Sequence, residues 1–382
     1  VGGIPAGWAA YDLAMARPHG AAIVEDAWNR QLDRSLRSRG WSTRVVGHTG
    51  YGSTRQLRVL ARVLLAPAGD PDELAAARLK ATYGGLRSPY VDRRGWRAFF
   101  TAPAMDVPVS VRIGTRWAYG RSDRGGYVDL VVPDHGLAPG WHTVTVQARH
   151  ALEAQAPVFV VGDDIRVGLV SDIDDTVIST SLPRPMIAAW NTFVLHERAR
   201  KVVDGMAPLY RQIMARQEGM PCVYLSTGAW NTAPALTRFL DAGGFPRGPL
   251  LLTDWGPTNT GWFRSGQDHK RSALHRLAVD FPQIRWILVG DDGQHDPAIY
   301  SEFAAARPDR VEAIAIRELT PAEQVLSHGL PVSNEELAGG PKALQQASTV
   351  TVQAPDGYAL AAGLRRAGIL PSDAADSSGT TG

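Results

Sequence analysis

The sequence predicts a two-domain fold: an α/β domain with a doubly wound parallel sheet, preceded by an antiparallel β-sandwich-like domain with an N-terminal helix. Short β-branched runs separated by turns fill the first half, whereas longer apolar runs alternate with helix-like segments in the second half. The 382-residue length also exceeds what one compact core usually accommodates. The predicted segments are an N-terminal helical segment over residues 1–44, the β-domain over 45–162, the α/β domain over 163–325 and a C-terminal extension over 326–382.

The first two segments have the patterns of a scaffold. Residues 20–40 repeat apolar positions at helical spacing and end at Gly40, which predicts one amphipathic helix. Beyond it, Gly-, Pro- and Asp-rich turns separate four β-rich runs: LRVLARVLL, VPVSVRIG, GYVDLVVP and WHTVTVQA. Strands at this spacing without intervening helices indicate an antiparallel sandwich or barrel. These two segments show no catalytic pattern, so a binding role and a purely structural role both stay open.

The α/β domain has the pattern of a parallel sheet. Five apolar runs, IRVGLVS, PCVYLST, PLLLTDW, IRWILVG and VEAIAIRE, predict its strands. They are apolar throughout rather than alternating, as in strands that are buried on both faces. Helices are predicted between them, at 204–219, 231–242, 267–280 and 296–306. Further on, YALAAGLRRAGIL predicts a last short helix, and PSDAADSSGTTG predicts a disordered end.

Polar side chains follow the apolar runs at the points where the strands end. They comprise Asp172, Asp174 and Thr176 after the first run; Ser226, Thr227 and Gly228 after the second; Arg264 and Lys270 after the third; and Asp291, Asp292 and Asp296 after the fourth. Ligands of open parallel sheets bind outside the carboxyl ends of the strands. We therefore expect carboxylates, hydroxyls and cationic side chains to converge on one rim.

Each of these residue types has a role if the ligand is a phosphate. Carboxylates from two distant segments can share a hard divalent cation, and Mg²⁺ prefers such oxygen ligands. With the cation in place, one aspartate can attack phosphorus while a second, two residues further on, protonates the leaving oxygen. Hydroxyl and ammonium groups offset charge on the transferring phosphoryl group. The pattern predicts a Mg²⁺-dependent phosphoryl-transfer site.

The order of these motifs resembles that of the haloacid dehalogenase superfamily of aspartate-nucleophile phosphatases. More narrowly, VSDIDDTVIST, YLSTGAWN, DWGPTNTGWFRSGQDHK and LVGDDGQHDPAIY are similar to the catalytic domain of the actin-patch-associated phosphatidate phosphatases, which is distantly similar to the lipins, and to its bacterial relatives. The resemblance covers residues 163–320. It implies a haloacid dehalogenase-like Rossmannoid fold, Mg²⁺ as cofactor and a phosphatidate-like lipid as substrate.

The resemblance also implies roles for individual residues. Asp172 would be the nucleophile and a metal ligand, and Asp174 the general acid/base, with its backbone carbonyl on the metal. Ser226 would bind the phosphoryl group, and Lys270 would pair with that group and with Asp172. Thr176, Thr227, Gly228 and Arg264 are further candidates for phosphate binding. Asp291 would ligate the metal by its side chain, and either Asp292 or Asp296 would also contact the metal, directly or through water.

Composition limits the partners. The net charge is +2 and basic residues do not cluster, which argues against nucleic acid. Cys222 is the only cysteine, so an internal disulfide is excluded.

The sequence has no apolar run as long as the roughly 20 residues of a membrane-spanning helix. We expect a cytoplasmic protein that contacts membranes at most peripherally. The insert 179–203 predicts a short flap rather than a full cap domain, which leaves room for a bulky phosphomonoester.

Two other functions remain open at this stage. The same phosphatase chemistry could act on a soluble or protein-borne phosphate. Alternatively, the chain is a non-catalytic adaptor that binds partners through its β-domain, although every residue that the reaction needs is present.

Overall fold

The structure, a computed structural model, describes residues 31, 34–67, 101–180, 200–253, 266–293, 295–328 and 349–372. Of the helix predicted over 20–40, residues 34–38 are helical and most of the rest lies outside the described residues. The segment 181–199 of the predicted flap and the predicted disordered end also lie outside them. In the described residues, no helix combines the length and the apolar character needed to cross a membrane.

The N-terminal strands form one sheet. They are β1 (Trp41–Ser53), β2 (Gln56–Pro67), β3 (Ala102–Pro103), β4 (Pro108–Ile113), β5 (Arg116–Arg121), β6 (Tyr127–Pro133), β7 (Gly140–Ala148) and β8 (Ala154–Val161). Their order is β3-β2-β1-β8-β7-β4-β5, and β6 also pairs with β2. β5 contacts β6, so the sheet curls around one apolar core that contains Leu57, Val63, Val111 and Val146.

The predicted sandwich of antiparallel strands is not confirmed, because these strands share a single sheet with one parallel pair. β1 and β8 run parallel, whereas all the other neighbours are antiparallel. Parallel neighbours need a long connection, and about one hundred residues separate these two strands. The four β-rich runs of the sequence do correspond to β2, β4, β6 and β7.

The second sheet is parallel, as predicted. Its strands are β9 (Val167–Ser171), β12 (Cys222–Ala229), β13 (Leu250–Thr253), β14 (Arg285–Asp291), β15 (Val311–Arg317) and β16 (Val350–Ala354). The order is β13-β12-β9-β14-β15-β16. A hairpin of β10 (Ile178–Thr180) and β11 (Arg200–Val202) stands at the base of the predicted flap. The domain is therefore mixed α/β with a parallel sheet.

Six helices of the described residues accompany this sheet. They are α1 (Met206–Met214), α2 (Ala233–Ala242), α3 (Gly266–Asp280), α4 (Asp296–Ala306), α5 (Pro321–His328) and α6 (Gly357–Arg366). Adjacent residues of β9 point to different cores: Leu169 packs with side chains of α1, α2 and α6, and Val170 with side chains of α3 and α4. Both faces of β9 are thus buried, which explains its continuous apolar run.

The C-terminal residues that the structure describes continue this sheet. β16 pairs with β15, and α6 packs against α1. The sequence places residues 326–382 in a separate extension, but within that segment the described residues 349–372 belong to the α/β domain by their contacts. A single strand of five residues gives too short a periodic signal for this to be read from sequence.

The two sheets meet in a joint core. Tyr51, Leu60 and Phe159 of the first sheet pack in one cluster with residues of α3 and of the second sheet. At the rim of this contact, Gln56 Nε2 donates to Asp280 Oδ1 over 2.8 Å. The N-terminal sheet therefore buries apolar surface of the α/β domain.

His48 lies in this contact and predicts a pH-dependent stability. Its ring stacks on Trp230 at a centroid distance of 4.8 Å, and its Nε2 is buried without a hydrogen-bond partner among the described residues. Burial, aided by the nearby Arg62, lowers the pKa of His48 from 6.5 to about 4. The unfolded chain therefore binds a proton at this residue between those pH values and the folded chain does not, so stability falls as the pH falls.

We expect the wild type to lose about 2 kcal/mol relative to His48→Phe between pH 7 and pH 4.5, because the phenylalanine keeps the ring contact but cannot titrate. Urea unfolding of both proteins at the two pH values measures this. Parallel pH profiles for the two proteins would show that His48 is not protonated on unfolding.

Candidate active site

The site begins where β9 ends. Asp172 follows directly after the strand, is 1% exposed, and donates its backbone N–H to the Val289 carbonyl of neighbouring β14 over 2.9 Å. Beneath it, the Ser171 hydroxyl lies 2.5 Å from Tyr210 Oη and donates to the Asp172 carbonyl. The backbone that carries Asp172 is therefore held from two sides.

A tight turn follows and brings Thr176 back toward the sheet. Asp175 has a φ of 59°, a left-handed conformation that aspartate tolerates better than most residues. The Asp175 N–H donates to the Ile178 carbonyl, and the Val177 N–H donates to the Ile173 carbonyl. As a result the buried Thr176 hydroxyl reaches Asp291 Oδ2, at 3.3 Å.

Three buried carboxylates and one ammonium group form the centre of the site. Lys270 Nζ on α3 donates to Asp172 Oδ1 at 2.7 Å and to Asp296 Oδ1 at 2.5 Å. Asp291, at the end of β14, is also fully buried, and its Oδ1 accepts the Gly293 N–H at 2.8 Å. One oxygen from each of Asp172, Asp291 and Asp296 lies within 4.8 Å of the others. The structure thus brings together residues from three strand ends that the sequence predicts to converge.

The electrostatics of this centre favour a bound cation. Burial, opposed by Lys270 and reinforced by Asp296, raises the pKa of Asp172 well above its usual value. Burial, then Asp296 and Asp172, likewise raise the pKa of Asp291. Burial lowers the pKa of Lys270, but the Asp172 and Asp296 carboxylates more than offset this and raise it overall. Three carboxylates and one ammonium leave a charge of about −2, which a divalent cation would neutralise.

Two carboxylate oxygens of this centre are placed to bind such a cation. Asp172 Oδ2 and Asp296 Oδ2 are buried and have no hydrogen-bond partner among the described residues. Unpartnered buried carboxylate oxygens are costly unless a ligand satisfies them. Because Lys270 already occupies the Oδ1 atoms, the Oδ2 atoms are the ones free to ligate. An all-oxygen donor set of this kind suits Mg²⁺.

Ser226 and Asp174 form the other side of the site. The Ser226 hydroxyl donates to Asp174 Oδ2 at 2.9 Å and accepts the Gly228 N–H at 2.9 Å. Asp174 is partly exposed, whereas Ser226 is buried. The bond links the two segments in which the sequence predicts an acid/base group and a phosphate-binding hydroxyl.

Other predicted residues lie apart from this centre. Asp292 turns away from it, because its Oδ1 accepts the Leu319 N–H at 2.8 Å, and it is absent from the group of converging carboxylates. Thr227 is partly buried, and its carbonyl accepts the Thr253 hydroxyl at 2.7 Å. Arg264 lies outside the described residues.

Arg317 and Glu323 also hold the site together, and neither is among the residues predicted from the sequence. The buried Arg317, at the end of β15, donates Nη1 to the Asp175 carbonyl at 2.6 Å and Nη2 to Glu323 Oε1 at 2.7 Å. The Ser179 hydroxyl on β10 donates to the same Glu323 oxygen at 3.2 Å. Two sequence signals could have indicated these residues. Arg317 is a charged residue at the end of the apolar run VEAIAIRE, and Glu323 ends the capping box TPAE.

Arg317 is thus a positioning residue, and its loss is expected to slow turnover. Without it the left-handed turn after Asp174 loses an anchor, and a displacement of about 1 Å costs up to roughly 100-fold in rate. We expect Arg317→Ala to lower kcat about 10- to 100-fold, with partial recovery in Arg317→Lys. Steady-state kinetics of phosphate release would measure this.

The ion pair between Arg216 and Glu312 offers a matched control, because Glu312 lies near the other end of β15. Arg216 Nη2 lies 2.6 Å from Glu312 Oε1. Arg216→Ala should lower thermal stability but leave kcat unchanged. Equal kcat in the wild type and Arg317→Ala would show that Arg317 does not position the site.

Comparison with known families shows which catalytic domain this segment resembles. Residues 167–318 match the family model described as Phosphatidate phosphatase APP1, catalytic domain. The family resemblance predicted from the motifs is thereby confirmed for this segment. The matched range contains Asp172, Asp174, Ser226, Lys270, Asp291 and Asp296.

Two fungal proteins are similar to part of the chain. Phosphatidate phosphatase APP1 of Saccharomyces cerevisiae is 30% identical over 171 residues, which are 44% of this chain and 29% of the yeast protein. An uncharacterised protein of Schizosaccharomyces pombe is 25% identical over 154 residues, 40% of this chain and 25% of that protein. The chain thus spans less than a third of the length of either relative.

Solved structures give weaker likenesses. The HAD domain of the effector protein Lem4 from Legionella pneumophila is 14% identical, with a TM-score of 0.28, over 41% of this chain and 87% of that one. A carbohydrate acetylesterase from Xanthomonas citri is 12% identical, with a TM-score of 0.30, over 83% and 72%. Scores this low support no conclusion about function.

Proposed function

We propose that this chain is a Mg²⁺-dependent phosphomonoester hydrolase that works through an aspartyl-phosphate on Asp172 and acts on a phosphatidate-like lipid. The observation that carries the proposal is the buried centre in which Lys270 bridges Asp172 and Asp296 while one oxygen of each carboxylate stays unpartnered. The match to a phosphatidate phosphatase catalytic domain supports the choice of substrate class. From the same match we infer that the parallel sheet has the doubly wound arrangement of the haloacid dehalogenase superfamily.

The metal ligands would be the side chains of Asp172, Asp291 and Asp296, together with the backbone carbonyl of Asp174. When bound, a Mg²⁺ ion would neutralise the carboxylates and polarise a phosphoryl oxygen. Asp292 is not included, since its carboxylate binds the Leu319 N–H and is not one of the three carboxylates that converge.

The reaction follows from the remaining residues. An Asp172 carboxylate oxygen attacks phosphorus, and the bond from phosphorus to the leaving oxygen breaks. Asp174 gives its proton to that oxygen, and the alcohol (diacylglycerol for phosphatidate) departs. Asp174 then takes a proton from water as the water oxygen attacks phosphorus. The phosphorus–Asp172 bond breaks, which restores the carboxylate and yields inorganic phosphate.

Three groups assist these steps. The Lys270 ammonium holds Asp172 in place and offsets charge on the phosphoryl oxygens. The Ser226 hydroxyl, hydrogen-bonded to Asp174 Oδ2, orients that acid and can donate to the phosphoryl group once substrate displaces the bond. The Thr176 hydroxyl fixes the orientation of Asp291. Thr227, Gly228 and Arg264 remain proposed phosphate contacts.

A substrate screen on the purified chain tests the proposal. Phosphatidate in vesicles, soluble phosphomonoesters and a phosphoprotein are each incubated with Mg²⁺, with Asp172→Asn as the blank. We expect phosphate release above the blank, fastest from phosphatidate. Faster release from a soluble ester or the phosphoprotein would replace the substrate class, and release equal to the blank on every substrate would support a non-catalytic adaptor.

A further inference from the structure

An exposed face of the N-terminal sheet carries large aromatic side chains. β5 reads RWAYGR, and the period of two places Trp117 and Tyr119 outward, at 47% and 74% exposure. The Cβ position of Gly120 instead approaches the core side chain Leu130. Across the strand pair, Trp117 lies opposite Arg112 of β4. Burying these two rings against another surface would remove a large apolar area from water.

The same face carries positive charge that the fold does not neutralise. Arg112, opposite Trp117, donates Nη2 to the Thr145 hydroxyl at 3.2 Å, whereas Arg116 lies opposite the buried Ile113 and so belongs to the other side of the strand pair. Within the described residues the Arg112 guanidinium forms no ion pair, whereas Arg121, on the same side of β5 as Trp117, pairs with Asp106. Arg112 therefore remains available to an external anion.

We propose that the face formed by Arg112, Trp117 and Tyr119, the β5 face, docks the chain on an anionic lipid bilayer. Trp and Tyr have an apolar body with a polar tip and are favoured at the membrane interface. Guanidinium groups pair with lipid phosphates, and each basic residue near an anionic surface contributes about fivefold to binding. The proposal deepens the proposed function, since it places the enzyme on the surface where a phosphatidate-like substrate would lie.

Vesicle sedimentation of the full chain tests the β5 face. We use phosphatidylcholine vesicles with and without phosphatidylserine, a lipid that carries no phosphomonoester. The wild type should sediment with the anionic vesicles, and its binding should weaken as salt rises. Equal sedimentation with both kinds of vesicle, or none with either, would overturn the proposal.

Paired variants separate the aromatic from the basic contribution. Arg112→Gln should weaken binding about fivefold, whereas Arg116→Gln, on the other side of the strand pair, should not weaken it. Trp117→Ser with Tyr119→Ser should weaken it at least about 10-fold. The matched controls are Tyr358→Ser on α6, whose side chain is 63% exposed, and Arg238→Gln on the exposed surface of α2; both should bind as the wild type does. Unchanged binding in the two β5-face variants would overturn the proposal.

Hydrolysis of soluble p-nitrophenyl phosphate keeps this test distinct from that of the proposed function. If the wild type binds anionic vesicles through the β5 face but releases no phosphate from any substrate, the docking surface stands and the proposed function fails. If the chain is active and the β5-face variants bind vesicles as the wild type does, the proposed function stands and the docking surface fails. The variants should also keep the far-UV circular dichroism spectrum of the wild type, which shows that they fold.

Discussion

Replacing Asp172 with asparagine is expected to abolish phosphate release, with a fall in kcat of about 1,000-fold or more. The amide is a poor nucleophile and cannot form the acyl phosphate. The substitution also removes the negative charge of the Asp172 carboxylate, whose Oδ1 lies 2.7 Å from Lys270 Nζ. Initial rates of phosphate release at saturating Mg²⁺ measure the effect.

The same variant should fold normally. Burial, reinforced by the neighbouring carboxylates, raises the pKa values of Asp172 and Asp291, so neutralising Asp172 removes an unfavourable buried charge. We expect a melting temperature in metal-free buffer equal to or above that of the wild type. Asp292→Asn is the matched control, because its carboxylate contacts the Leu319 N–H rather than the centre. Turnover that survives in Asp172→Asn but not in Asp292→Asn would refute the assignment of the nucleophile.

Removal of divalent metal should also stop turnover, and Mg²⁺ should restore it. Without a cation, the unpartnered Oδ2 atoms of Asp172 and Asp296 and the nearby Asp291 leave about two uncompensated negative charges, which repel a phosphate. Phosphate release with EDTA, and then with excess Mg²⁺, measures this directly. Full activity in EDTA would contradict the proposed site.

Metal binding can be followed without activity. A ligand at 100 times its Kd stabilises the folded state by about 2.7 kcal/mol, so Mg²⁺ should raise the melting temperature of the wild type. Asp291→Asn should lose this shift, whereas Asp292→Asn should retain it. Asp291 and Asp292 are adjacent in the sequence, so comparing the two variants tests which of the two carboxylates faces the ion. A shift retained by Asp291→Asn and lost by Asp292→Asn would reverse the assignment.

The sequence predicts the strand ends that build the centre because each lies directly after a long apolar run. Asp172 follows a buried parallel strand and Asp291 ends one, Ser226 lies in the second half of β12, and Lys270 lies in the first turns of α3. The carboxyl ends of parallel strands share one edge, so strand order alone brings these residues together.

The choice among Asp291, Asp292 and Asp296 could not be made from sequence. Consecutive residues at a strand end point in opposite directions, and which one faces the centre depends on contacts from elsewhere. Here the Leu319 N–H binds Asp292, and Lys270 binds Asp296 from another helix. Tertiary contacts of this kind also explain why Arg317 was missed: its partner, the Asp175 carbonyl, lies 142 residues away.

The most direct test of the account is a crystal structure of the chain soaked with magnesium and beryllofluoride, a mimic of the phosphoryl group that needs no knowledge of the natural substrate. We expect beryllium bonded to a carboxylate oxygen of Asp172, with a magnesium ion against Asp291. Beryllofluoride bonded to another residue, or an Asp172 carboxylate that stays unmodified at saturating concentrations, would contradict it.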